Sequence, residues 1–164
     1  MPSRHFHRAI LVLAVATLGA GCSAHLQTRT VQLSDTYDLW AARLEHMPFV
    51  FHHPNGAVEA YDVHGTAWKG DIDTRRVEVF EGIDGALPTA LCTTPDSTGT
   101  ASQHVGTGEV TAAICDRQRT VVSFNESVRE RVLASKPTYV PRVRHLLLEG
   151  IWESVAQEPA PLHT

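Results

Sequence analysis

The residues best placed for chemistry lie near the end of the chain. His145, Glu149 and Glu153 stand four apart, so on a helix they step along one stripe. An imidazole and a carboxylate at that spacing can share a metal ion, and a metal-held water would make the site a hydrolase. The plainer alternative is a solvated face, with His145 beside Glu149 and an apolar stripe of Val143, Leu147, Ile151 and Val155 on the opposite side. The residues favour that alternative. A second group, His46, His52, His53 and His64, clusters in sequence. Neighbours on a strand point to opposite faces, so His52 and His53 cannot both line one site there. A metal set would have to draw on His46, His53 and His64, and scattered histidines are the simpler expectation.

The final-helix segment faintly resembles the zinc-binding helix of the zincin metalloproteases. That family needs His-Glu-x-x-His, in which the Glu activates a zinc-bound water. Here Leu146 follows His145, and Glu149 stands where the second His belongs. There is also no Gly-x-Ser-x-Gly and no phosphate-cradling glycine loop. The expectation is therefore no catalytic residue, no bound metal and no cofactor, with metal-dependent hydrolysis through His145 and Glu149 as the rival.

The elements that would position these groups can be read from periodicity and turn chemistry. Ser34 can cap a helix over 35–47, with Tyr37, Trp40, Ala41, Leu44 and Met47 on one face and Pro48 as its stop. A hairpin follows, Phe49 to His53 and Ala57 to Val63 around Pro54-Asn55-Gly56. A three-residue loop would pair His52 with Val58, a two-residue loop with Glu59. Further strands are expected at 66–69, 75–80, 87–93, 110–115 and 120–124, with a Thr/Ser/Gly-rich loop over 94–108. Asn125 can cap a helix to about 135, and Pro141 can open a last helix to about 157. This order implies an α+β fold: a small antiparallel sheet with an N-terminal helix and two C-terminal helices packed on it. One globular domain over 34–157 would be followed by a loose tail, 158–164.

The 164 residues carry 43% hydrophobic and 20% charged residues, which suits a single globular domain. The net charge is −4; setting aside residues 1–21, which hold Arg4 and Arg8 and no acid, makes it −6. Such a domain has no broad electrostatic reason to bind nucleic acid. Residues 1–21 themselves have a basic start, an uncharged apolar run from Ala9 to Leu18 and a small-residue exit, the pattern of a secretory signal. The apolar run is shorter than the ~20 residues that span a bilayer.

At its end, Leu18-Gly19-Ala20-Gly21-Cys22 resembles the lipobox of bacterial lipoproteins, with Ala-Gly directly before Cys. Gly19 holds the position where that family usually has Leu, with Leu18 one step further out. The resemblance implies cleavage before Cys22, a diacylglycerol thioether on its sulfur and, in Gram-negative hosts, an added N-acyl chain, enough lipid to anchor firmly. Ser23 then implies the outer membrane. The partners expected are the membrane, through the lipid, and an envelope protein or cell-wall component, with residues 22–33 as lipidated cysteine and tether. The alternative is ordinary cleavage nearby, for example after Ala24, which frees the domain into the periplasm. Lipidation of Cys22 would also remove the odd cysteine of three and leave Cys92 and Cys115 to form a disulfide in an oxidising compartment. Neither has a Cys-x-x-Cys partner for zinc.

Overall fold

The computed structural model describes residues 24–82, 91–92 and 108–156. Its framework is a six-stranded sheet. The strands are β1 (His25–Arg29), β2 (Phe49–His52), β3 (Val58–Tyr61), β4 (Arg75–Glu81), β5 (Glu109–Asp116) and β6 (Arg119–Ser127), in the spatial order β1-β6-β5-β4-β2-β3. Helices α1 (Tyr37–Leu44), α2 (Glu130–Leu133) and α3 (Lys136–Ala156) complete the described elements. The architecture is thus mixed α and β, as expected. The expectation of an antiparallel sheet is corrected at one pairing, because β2 and β4 run parallel, Phe49 opposite Val77 and His52 opposite Phe80. Having made the β2–β3 hairpin, the chain passes β2 and re-enters on its other side. A parallel neighbour needs such a long connection, here residues 53–74.

The two hairpins follow from their turns. In β2–β3, Gly56 takes φ +81° and its N–H reaches the His53 carbonyl at 2.9 Å. This is the three-residue loop, so His52 pairs with Val58. In β5–β6, Asp116 pairs with Arg119 across Arg117-Gln118. Arg117 has a φ of 60°, at the first turn residue, where type II′ hairpins favour glycine.

Period-2 alternation places Phe49 and Phe51, Val77 and Val79, Ala112 and Ile114, and Val122 and Phe124 on one face of the sheet, all buried. Trp40 and Leu44 of α1 and Tyr139, Val143, Leu147 and Ile151 of α3 pack against them. Each such side chain contributes ~1.5–3 kcal/mol through burial. Gly150 lets α3 approach closely: a Cβ there would come within 2.4 Å of Leu26 and 2.7 Å of Val122 side chains. The opposite face carries Arg76, Glu78, Ala113, Cys115 and Ser123, also buried, with Leu91 and Cys92 packed on it.

Several boundaries differ from expectation for identifiable reasons. The expected tether contains β1, an edge strand paired with β6, so the described fold includes residues 25–29 ahead of the expected start at 34. Its short polar sequence His25-Leu26-Gln27 gives little periodic signal. The helix expected from Asn125 is instead the end of β6, and only the single turn α2 follows. The last helix starts five residues before Pro141, because the Ser135 carbonyl takes the N–H groups of Thr138 and Tyr139 at 2.9 Å. Pro137, in the first turn, costs that helix no hydrogen bond. The expected strand at 66–69 is reduced to one bridge, Tyr61 with Ala67. Of the expected strand at 87–93, Leu91 and Cys92 sit in a turn and the rest lies outside the described residues, as do Cys22, the 1–21 segment and the 158–164 tail.

Candidate functional site

Because side chains alternate along β2, His52 and His53 depart from it on different sides. His52 Nε2 lies 2.6 Å from Glu78 Oε2 on β4, and its ring stacks on Phe80 with centroids 4.5 Å apart. Glu78 also accepts from Arg76 Nε. This triplet sits on the sheet face that carries the disulfide. His53 closes the hairpin, its N–H on the Ala57 carbonyl at 2.9 Å. Its Nδ1 meets Glu81 Oε2 at 2.8 Å and its Nε2 meets Glu59 Oε2 at 3.2 Å. Lys136, the first residue of α3, donates to Glu81 Oε1 at 2.9 Å and lies 4.1 Å from the Phe51 ring centroid. The Tyr61 hydroxyl donates to Glu59.

A continuous polar chain therefore runs Tyr61–Glu59–His53–Glu81–Lys136, joining the β2–β3 hairpin, the end of β4 and the start of α3. Burial, then the hydrogen bond and charge of Glu59, push the Tyr61 hydroxyl up to about 12. The bonds from Tyr61 and His53 hold the Glu59 carboxyl below its usual range. Tyr61 is thus a standing donor rather than a base. The two ring nitrogens of His53 point to different carboxylates on opposite sides of the imidazole, so the three groups cannot close on one ion. The chemistry of this arrangement is that of a clamp between elements, and sequence spacing alone carried no sign of Glu81 or Lys136 as members.

The other candidates are dispersed. His46 is exposed after α1, and His64 is exposed in a turn where its N–H donates to Asp62 at 2.9 Å. His145 and Glu149 are exposed on α3, and His145 lies about 13 Å along the helix from Lys136. The structure does not bring them together with the hairpin histidines. Among the described residues no three His, Cys, Asp or Glu side chains gather as a metal site would require. Of the expected apolar stripe, Val143, Leu147 and Ile151 are fully buried, but Val155 is 46% exposed.

Cys92 and Cys115 form a disulfide, their Cα atoms 5.4 Å apart, and both are buried. The Thr120 hydroxyl lies 3.2 Å from Cys92 Sγ. Two further charged clusters escaped sequence reasoning. Glu126 faces inward from β6 and accepts from the Tyr139 hydroxyl at 3.0 Å and from Arg142 at 2.6 Å. Burial, reinforced by the Glu126 charge, pushes the Tyr139 hydroxyl far up. Asp35 accepts from Arg119 at 2.6 Å and 3.2 Å, from Trp40 Nε1 at 3.0 Å and from the Gln32 N–H at 2.8 Å. Each acid stands between polar neighbours, Ser34 and Thr36 or Asn125 and Ser127, so the sequence offered no sign of its burial. No family model, no curated protein and no solved structure matches the chain.

Proposed function

We propose that this chain is an exported lipoprotein, held to the envelope membrane through acyl chains on Cys22, whose domain binds an envelope or wall component and catalyses no reaction. The observation that carries this reading is the run from Arg4 and Arg8 through the apolar segment to Ala20-Gly21-Cys22. The buried Cys92–Cys115 bond supports it, because disulfides persist in oxidising compartments outside the cytosol. Metabolic labelling with palmitate tests the anchor. Label should enter the wild-type protein and be absent from Cys22→Ser, which should also leave the membrane fraction. A serine variant that sediments with membranes as before would refute the proposal.

A further inference from the structure

At the end of the sheet where β2 and β4 begin, a groove of about 360 Å³ opens between the end of α1 and the segment leading into β4. Its floor is apolar, with Leu39, Met47 and Pro48. Trp68 lines the groove as well. Its ring is fixed in place: Nε1 donates to the Asp71 carbonyl at 3.3 Å, and Gly70 lies so close that a Cβ there would meet the indole at 3.2 Å. Donors and acceptors share the rim. Arg43, Arg75 and His46, which can donate, line it together with Asp71 and Asp73, which can accept; Asp73 Oδ1 already accepts from the Thr74 N–H and hydroxyl. Arg43 is itself steadied over the Trp40 ring at 4.8 Å.

We propose that this groove binds one pyranose of a glycan strand, with the Trp68 indole as its platform. The inference rests on the exported reading above and deepens it by naming the class of wall component. Charge decides the class. Two arginines opposed by two aspartates give the rim no net bias, which disfavours a phosphate-rich or otherwise polyanionic ligand. A sugar ring offers hydroxyl groups that both donate and accept, so one neutral molecule can meet arginine N–H groups and aspartate oxygens together. Its C–H face supplies the flat apolar surface that an indole covers. The volume suits a single ring, near the lower end of the range for small-molecule sites, and the groove is open to solvent.

The test uses the whole mature domain and two probes, a tetramer of N-acetylglucosamine and purified peptidoglycan sacculi. Of the other two tryptophans Trp40 is fully buried and Trp152 is exposed on α3, so the Trp68 response is read as the difference between wild type and Trp68→Phe, with Trp152→Phe in both backgrounds. The tetramer should perturb that emission, Trp68→Ala should weaken binding by at least about tenfold, and Trp68→Phe should retain most of it. Sacculi should carry down wild type but not Trp68→Ala, with circular dichroism showing both folded. Sacculi that carry down the alanine variant equally, or neither probe binding at millimolar concentration, would overturn the inference. Sacculi bound through Trp68 without any response to the tetramer would overturn the glycan assignment in favour of the peptide stems. The palmitate experiment reads the anchor separately, so a labelled protein that ignores both probes loses this inference alone.

Discussion

Asp35 shows how a single carboxylate can organise a junction that sequence pattern hides. Burial alone would raise its carboxyl, yet the bonds from Arg119, the Gln32 N–H and Trp40 prevail and hold it below the usual 3.8. A depressed folded value means the stabilisation is complete above the unfolded carboxylate range and is lost as pH falls through the folded value. Wild type should therefore lose stability progressively from about pH 5 downward. Asp35→Asn removes the charge while keeping the shape, leaving Arg119 with the Asp116 carboxylate at 3.0 Å and the Thr30 carbonyl at 3.1 Å. It should cost about 1–3 kcal/mol at neutral pH and flatten the acid limb. Urea melts of both proteins between pH 3 and 7 measure this, and parallel acid limbs would show that Asp35 is not the group responsible. At this scale the sequence was partly legible. The opposite facing of His52 and His53 followed from strand geometry. The burial of Arg76 and Glu78 did not, because charges alternating with Val77 and Val79 look the same whether their face meets water or another part of the chain.

Between elements, what the sequence could and could not convey divides along local and non-local lines. Turn chemistry gave the β2–β3 hairpin, since Pro54-Asn55-Gly56 acts over a few residues. The parallel β2–β4 pairing depends on where a chain of some twenty residues chooses to return, and no local preference encodes that. The β1 strand draws its order from β6 and from the seat of Leu26 beneath α3, which a five-residue segment cannot announce by itself. Gly65 marks another non-local constraint. Its φ is +76°, and a Cβ would lie 2.4 Å from the Lys136 carbonyl carbon, backbone against backbone. This contact fixes the start of α3 beside the β3–β4 connection, and with it the bond from Lys136 to Glu81. Gly65→Ala combines a disfavoured backbone conformation with a clash that no flexible side chain can relieve. It should destabilise by about 2–4 kcal/mol. Gly56, with a similar φ of +81° but open space around it, is the control, and Gly56→Ala should cost only about 1–2 kcal/mol. Equal losses in chemical denaturation would remove the packing part of the argument.

For the molecule as a whole, the disulfide ties an otherwise local β4–β5 excursion to the sheet. Cys115 lies in the middle of the framework, paired on β5 opposite Arg76 and Thr120, while Cys92 belongs to the long connection between β4 and β5. The sequence separation of 23 closes a loop whose entropy in the unfolded chain is restricted by roughly 3 kcal/mol. The same bond seats Leu91 and Cys92 on Ala113, Cys115 and Phe80, the apolar patch beside the His52–Glu78–Arg76 triplet. Losing it should therefore act twice: on the unfolded ensemble, through loop entropy, and on the folded sheet, by loosening the cover of buried charges. The two contributions separate in one comparison. A Cys92→Ala, Cys115→Ala protein should be less stable than wild type by roughly 3 kcal/mol. If the bond also holds the cover down, amide exchange should quicken along β4 and β5 in the double variant while the helix-side strand β6 keeps its protection near Val122 and Phe124. Exchange that rises uniformly over all strands would mean that the bond acts on the unfolded chain alone, and the buried charges of β4 keep their cover without it.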